Sequence, residues 1–443
     1  MKTERRSGCE KPQEGMNNKK VKKGKRGRTV LKVLGIILAV IVIFCSVTAV
    51  ISVIGNKANT EKAQAVAAVE KEDTLVPQKD ENGYWTFTTD RDFKVLQLTD
   101  IHIGGGWLSL KKDAMALNAV AAMISEEKPD LVIVTGDIAF PVPYKAGTLN
   151  NLASAKVFAA LMEKLGVYWT LAFGNHDTEA YSYYSREDIS DFYENSGFKY
   201  CLFQTGPEDV DGYGNQVINI KNSKGVITQS LYIFDSHSYT GGDYLGIMWK
   251  YDNIHDNQIE WYKNNVNMLN SQNDETLKKL GSDEKSDIKS AAFFHIPLTE
   301  QRDAWYEYMD NSFQDTENVK YVYGKAGESG KIVYSGMGED NLFETMQALG
   351  STKAVFCGHD HYNNFSIEYK GIRFTYGMSI DYLAYSGISK VGTQRGCTVI
   401  TFSPDGSFDC HAENYYQDKY LSPYEKESVT MQELTEESTY KQG

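Results

Sequence analysis

Five short apolar runs, each closing on an acidic, amide or imidazole side chain, constrain this chain more than any other feature of its sequence. Phe93-Lys94-Val95-Leu96-Gln97-Leu98 leads into Asp100-Ile101-His102, and Leu131-Val132-Ile133-Val134 leads into Gly136-Asp137. Val167-Tyr168-Trp169-Thr170-Leu171-Ala172-Phe173 leads into Gly174-Asn175-His176-Asp177. Ala291-Ala292-Phe293-Phe294 ends at His295, and Ala354-Val355-Phe356-Cys357 ends at Gly358-His359-Asp360-His361. Runs this short, rich in β-branched and aromatic residues and bounded by Gly or polar positions, read as buried strands. Leu231-Tyr232-Ile233-Phe234 is a further one, and helix-like stretches at 111–127, 152–165, 256–270 and 340–349 alternate with them, which predicts an α/β domain. In such sheets, sites form in the crevice outside the carboxyl ends of the strands, so these polar groups are placed to converge.

Each strand end alone carries little information; jointly they carry much. Five of the eight histidines, His102, His176, His295, His359 and His361, follow predicted strands. Gly136, Gly174 and Gly358 permit a tight or left-handed turn and close backbone approach, which puts the next side chain over the sheet edge. Carboxylate and imidazole ligands without thiolate suit Fe, Mn or Zn better than Ca or a structural zinc site. The six cysteines contain no CxxC pair, and the four in the body, Cys201, Cys357, Cys397 and Cys410, leave three fully paired connectivities open.

In their order along residues 93–412, Asp100-x-His102, Gly136-Asp137, Gly174-Asn175-His176-Asp177, His295 and Gly358-His359-x-His361 resemble the motif set of the calcineurin-like metallophosphoesterases. The forms running through Glu179 and Asn363 are most similar to the small purple-acid-phosphatase-like branch. The resemblance implies a four-layer α/β/β/α sandwich of two mixed sheets. It further implies a first metal held by Asp100, His102 and His361, a second by Asn175, His295 and His359, and Asp137 bridging both. A pair of ions sharing a carboxylate activates a bridging water as hydroxide for in-line attack on phosphorus. His176 is then the candidate to protonate the leaving oxygen, with Asp177 or Glu179 orienting it; solvated carboxylates are the plain alternative for those two.

Two departures from the family stand out. Gly136-Asp137 continues Ile138-Ala139-Phe140-Pro141, without the acid and arginine of the phosphoprotein phosphatases, and Phe140 stands where purple acid phosphatases place a tyrosinate ligand. His237 and Trp261 read as structural, and Arg186 as an exposed arginine at a helix start.

Residues 33–54 carry neither charge nor proline, and about 20 apolar residues span a bilayer core. Residues 1–32 hold 12 Lys/Arg against 3 Asp/Glu, so the rest of the chain carries −22 of the net −13. The basic flank predicts a cytoplasmic N-terminus and a single-pass anchor in the cell membrane, with the catalytic domain outside. A cleavable signal peptide is the competing reading, since Ala63-Gln64-Ala65 supplies small residues, but apolar cores of such peptides run to about 7–15 residues. The predicted organisation is a basic segment at 1–32, a transmembrane helix at 33–54, a polar linker at 55–90, the metallophosphoesterase domain at 91–413 and a polar tail at 414–443. Within the domain, 298–340 reads as a long excursion near the site.

The expected function is a membrane-anchored dimetal hydrolase of a phosphate mono- or diester. The alternatives are a non-catalytic extracellular binding module that keeps the fold and a metal-dependent nuclease. An acidic body argues against nucleic-acid partners, because that affinity rests on Lys/Arg neutralising phosphates.

Overall fold

The structure, a computed structural model, describes residues 18–338, 340–385, 388, 395–422 and 426. Helix α1 (Asn18–Ala65) precedes β1 (Gln78–Lys79), β2 (Trp85–Thr88), β3 (Phe93–Leu98), α2 (Leu110–Glu127), β4 (Leu131–Thr135), α3 (Pro143–Ala146), α4 (Asn151–Leu165) and β5 (Tyr168–Ala172). Then come α5 (Arg186–Asn195), β6 (Gln216–Lys221), β7 (Ile227–Ile233), α6 (Asp256–Lys279), β8 (Lys289–Phe293), α7 (Thr299–Asp310) and β9 (Val319–Tyr323). The chain continues through α8 (Leu342–Leu349), β10 (Thr352–Cys357), β11 (Ser366–Tyr369), β12 (Ile372–Tyr376), β13 (Gly396–Phe402) and β14 (Phe408–Asn414).

The strands form two mixed sheets, a five-stranded one ordered β14-β13-β3-β4-β5 and a nine-stranded one ordered β1-β2-β6-β7-β8-β10-β12-β11-β9. Side chains alternate across each strand, and both faces of each sheet are buried. Val95, Leu131 and Ile133 point from one sheet onto Ile218, Leu231, Ile233, Phe293 and Phe356 of the other. Their neighbours Leu96, Leu98, Val132 and Val134 pack under α2 and α4. Tyr232, Ala292 and Val355 pack under α6, α7 and α8. The layers are therefore α/β/β/α, the architecture expected from the sequence, and a strand buried on both faces explains why these runs are mostly apolar rather than alternating.

Strands β3, β4 and β5 are mutually parallel, as are β7, β8 and β10, so their carboxyl ends share an edge within each sheet. That topology brings the five polar strand ends together.

Three expectations need correction. Residues 55–90 are not merely a polar linker: α1 continues to Ala65, with Asn56 Nδ2 donating to Gly105 O, Asn59 Nδ2 to Leu110 O, and Ala63 buried. The positions Asn56, Asn59, Ala63 and Val66 recur at helical spacing, but two of them are polar, which concealed the face. Beyond it, β2 pairs in parallel with β6 and buries Phe87 completely. The tail is likewise not free of burial, since Tyr415 and Tyr420 are each 1% exposed, while residues 427–443 lie outside the described residues. The excursion at 298–340 contains α7 and the edge strand β9; Ala304, Trp305 and Tyr308 are buried on a helix whose interspersed charges diluted its signal.

Residues 33–54 lie in α1, and among the described residues this is the one helix long and apolar enough to cross a bilayer, with a most apolar stretch of mean hydropathy 3.0 and none of that stretch buried. Residues 1–17 of the basic segment lie outside the described residues.

Candidate metal centre

Four positions at the strand ends adopt left-handed backbone although none is glycine: Asp100 (φ 49°), His102 (φ 54°), Asp137 (φ 56°) and His359 (φ 80°). Such conformations are uncommon outside glycine and persist where surrounding contacts impose them. Gly136 is itself left-handed (φ +88°), and a Cβ on it would lie 2.5 Å from His295 Nδ1. Gly174 has ordinary φ but must be bare for a different reason: a Cβ there would lie 2.1 Å from Asp137 Oδ1. The turns thus let the ends of β4 and β5 close on each other around the Asp137 carboxylate, with the His295 ring against Gly136.

Around that carboxylate the seven predicted ligands assemble into two groups. Asp100, His102, Asp137 and His361 are buried and offer ligand atoms within 4.8 Å of one another. Asp100 Oδ1 lies 3.3 Å from His361 Nε2, and Asp137 Oδ2 lies 3.3 Å from His102 Nε2. In the second group, His295 Nε2 is 3.2 Å from Asn175 Oδ1 and 3.3 Å from His359 Nδ1, which is 3.0 Å from the same Asn175 oxygen. His295 Nε2 is also 3.2 Å from Asp137 Oδ2, so one carboxylate oxygen belongs to both groups.

These spacings fit a cation in each group. Ligands bonded at about 2.1 Å stand roughly 3.0 Å apart around an octahedral ion and roughly 3.4 Å apart around a tetrahedral one. The oxygen Asp100 Oδ1 is buried with no well-aligned hydrogen-bond donor and its near neighbour is His361 Nε2 at 3.3 Å, so a positive charge, on that imidazole or on a cation in the seat, is needed to offset its burial.

Outer contacts fix which atoms face inward. His295 Nδ1 is 2.8 Å from Thr135 O and donates to it, leaving the Nε2 lone pair for the seat. Asn175 Nδ2 donates to Tyr239 Oη, which donates in turn to Glu179 Oε1, and this turns Asn175 Oδ1 toward the two imidazoles. Asp381, fully buried, lies behind the other pair: its Oδ1 is 3.1 Å from His102 Nδ1 and its Oδ2 is 3.5 Å from His361 Nδ1, close but off the line of a good hydrogen bond. The Leu383 and Ala384 amides donate to Asp381 Oδ1 at 2.7 Å and the Tyr385 amide to Oδ2 at 2.6 Å.

The protonation pattern follows from the crowding. Burial alone pushes the Asp137 carboxyl up, but the His295 and His176 imidazoles, with direct contacts from His102 and His295, hold it well below the usual carboxylate range. Burial and the neighbouring His295 hold His359 well below the usual imidazole value, which keeps its lone pair available. Burial lowers His361, yet the Asp100 and Asp381 carboxylates outweigh it and raise its pKa well above the ordinary value. A cation in the seat would compete for those same lone pairs.

His176 lies at the mouth, its side chain 23% exposed and its Nδ1 2.7 Å from Glu179 Oε1. Asp177 does a different job from the one expected. Its buried carboxylate accepts amide hydrogens from Asp137, Ala139 and Gly174, bracing the loop that carries the shared carboxylate. The carboxylate on His176 is that of Glu179, and neither Asp177 nor Glu179 is solvated, since both are about 95% buried. Phe140, in the place of a tyrosinate, packs its ring at a tilt 4.7 Å from His102 and edge-on 4.7 Å from His176 and offers no oxygen.

Arg186 is not an exposed helix-start residue: its guanidinium pairs with Asp235 and also bonds Thr178 Oγ1, Gly174 O and Ser238 Oγ. His237 is engaged with Gln258 and stacked on His255, outside the cluster. Asp360 and Asn363, between and beyond the paired histidines, hold the loop at 324–335 through the Tyr334, Gly327 and Glu328 amides. Sequence reading missed Asp381, although it follows a parallel strand as the others do; β12 reads Ile-Arg-Phe-Thr-Tyr, and its alternating polar residues hid it among buried runs.

A family model described as calcineurin-like phosphoesterase matches residues 93–363, more than half of the chain. The chain is 28% identical over 323 residues to an Arabidopsis thaliana protein named "Probable inactive purple acid phosphatase 28", spanning 68% of this chain and 73% of that one. It is 29% identical over 304 residues to "Phosphatase DCR2" of Saccharomyces cerevisiae, spanning 63% of this chain and 46% of that longer protein. Among solved structures, a dimetal phosphatase from Danio rerio aligns over 74% of this chain and 98% of its own, with a TM-score of 0.46 and 10% identity.

Proposed function

The chain belongs to the calcineurin-like phosphoesterase family, and from that premise we propose that it is a membrane-anchored hydrolase of a phosphate mono- or diester that works with two metal ions. The observation that carries the reading is Asp137 Oδ2, 3.3 Å from His102 Nε2 and 3.2 Å from His295 Nε2, a single oxygen common to two ligand sets. Asp100, His102 and His361 would hold one ion, and Asn175, His295 and His359 the other. Iron, manganese and zinc match this donor set. Bound there, the pair supplies Lewis acidity toward phosphoryl oxygens and makes water nucleophilic near neutral pH.

The protein's own groups do the rest. Asp177 and Gly174 fix the Asp137 loop, and Glu179 orients the His176 ring. His176 then delivers a proton to the departing oxygen, a role open to an imidazole at the mouth of the site. The span at 33–54 anchors the protein in the cell membrane, with the basic N-terminal segment in the cytoplasm and the catalytic domain outside.

Hydrolysis of an aryl phosphate by the purified full chain, stripped of metal and reloaded with Mn, Fe or Zn, is the test. Asp137→Ala and His359→Ala are each expected to abolish metal-dependent turnover, and unchanged rates in both variants would overturn the proposal. The Arabidopsis relative, named as a probable inactive phosphatase, favours a second reading, a module that keeps the fold for binding. A metal-loaded protein inert toward a panel of mono- and diesters would support that one.

A further inference from the structure

Beside the metal centre a hairpin presents apolar side chains to solvent. Its stem is the antiparallel bridge between Tyr239 and Tyr251. Both stem residues touch the centre: Tyr239 Oη bonds Asn175 and Glu179, and the Tyr251 ring lies edge-on at 4.2 Å from His359. The tip is Tyr244, Leu245, Ile247, Met248 and Trp249, exposed by 77, 50, 73, 53 and 62%, followed by Lys250.

That exposure is built into the fold. The Asp243 carboxylate, only 3% exposed, accepts amide hydrogens from Met248 and Lys250, and the Thr240 amide donates to Lys250 O. Trp249 is held in the left-handed region at φ 55°, a conformation a bulky aromatic residue adopts only when its surroundings impose it. Five large apolar side chains held into water within six positions require an apolar surface to receive them.

We propose that the hairpin at 239–251 docks the mouth of the site on a lipid bilayer and that the substrate is a phosphate ester carried by a lipid. The assignment of substrate rests on the phosphoesterase reading; the docking does not. A bilayer is the occupant because the same chain carries an apolar helix long enough to cross one. The tip also has the make-up of an interfacial element, Trp and Tyr with aliphatic neighbours and a flanking cation. With the tip seated among acyl chains and Lys250 at the level of the headgroups, the stem holds the centre over the plane where lipid phosphates lie.

Trp249 makes the docking measurable in the full chain. None of the six tryptophans is in the span; Trp169, Trp261 and Trp305 are buried, Trp85 and Trp107 are half-buried, and Trp249 is the exposed one. Reconstituted in vesicles of brominated phosphatidylcholine, the full chain is expected to show tryptophan quenching relative to unbrominated vesicles, most of it lost in Trp249→Phe. Equal quenching in the two proteins, or none in either, overturns the docking, and self-association that Trp249→Phe weakens would assign the patch to a second copy.

For the substrate, the same vesicles carry phosphatidic acid as a monoester or phosphatidylglycerol as a diester. The double variant Ile247→Ser, Met248→Ser is expected to lose at least tenfold in lipid hydrolysis while keeping its rate on soluble aryl phosphate. Turnover of aryl phosphate with neither lipid hydrolysed, or an equal loss on both classes, overturns the substrate assignment. A wild-type chain inert on every ester contradicts the phosphoesterase reading, and the quenching still decides the docking.

Discussion

Replacing Asp381 with Ala removes a carboxylate that lies outside the proposed ligand set yet stands behind two of its members. Its oxygens lie 3.1 Å from His102 Nδ1 and 3.5 Å from His361 Nδ1, and both histidines present Nε2 to the same seat. Burial pushes the Asp381 carboxyl up, but the two imidazoles override burial and hold it well below the usual range, so the group is a carboxylate at neutral pH. Losing such a partner behind one metal-bound histidine typically costs 10–100-fold in metal affinity. With two histidines freed at once, the upper end applies, about 100-fold or roughly 2.8 kcal/mol. The assay is competition between the metal-stripped full chain and a chromophoric chelator for Mn or Zn, which resolves two binding steps. One step is expected to weaken by about 100-fold, while the step formed by Asn175, His295 and His359 stays within about threefold. Asp381→Asn, which keeps an acceptor for the Leu383 and Ala384 amides, falls between the two. Two unchanged steps in a variant that melts like wild type would refute the assignment of Asp381 as a positioning residue.

Other perturbations separate stability from chemistry. Asp113→Ala strands the Gly104 and Gly105 amides, which it now accepts at 2.8 and 3.1 Å in a buried loop just beyond His102; a loss of about 2–4 kcal/mol in urea unfolding is expected. Glu179→Gln removes the charge 2.7 Å from His176 Nδ1, so kcat should fall roughly 10- to 100-fold with metal content unchanged. His255, with its side chain 36% exposed, is raised to about 9 by its contact with Asp252 and then, against burial, by Asp211. Its folded value lies above the unfolded one, so its contribution to stability is full below about pH 6.5 and is lost as the pH rises through 9. Thermal melts of wild type and His255→Gln should therefore converge at the alkaline end of that window, with only a small separation below it because the pair is screened by water.

The parts of the fold legible in the sequence are those in which burial on both faces left an unbroken apolar run. Strands β4, β5, β8 and β10 contain such runs and β3 comes close, interrupted by Lys94 and Gln97, and the polar ends of these five strands carry all seven proposed ligands. Elements that mix polar residues into a buried face were lost. Asn56 and Asn59 spend their amides on carbonyls of the loop at 105–110, so the end of α1 looked like a spacer. Arg373 in β12 reaches Ser366 and Cys410 O, and with that strand went Asp381. The choice between two carboxylates at the mouth stayed open for a related reason: sequence spacing cannot distinguish Asp177, which turns to three backbone amides, from Glu179, which reaches the imidazole.

The shared oxygen of Asp137 is tested most directly by electron paramagnetic resonance of the full chain titrated with Mn(II). Two ions held by one carboxylate oxygen are coupled, so the account predicts two Mn bound per chain and a coupled dinuclear spectrum that disappears in Asp137→Ala. A simple six-line signal from isolated Mn(II) at full loading, or binding that stops at one ion per chain, would contradict it.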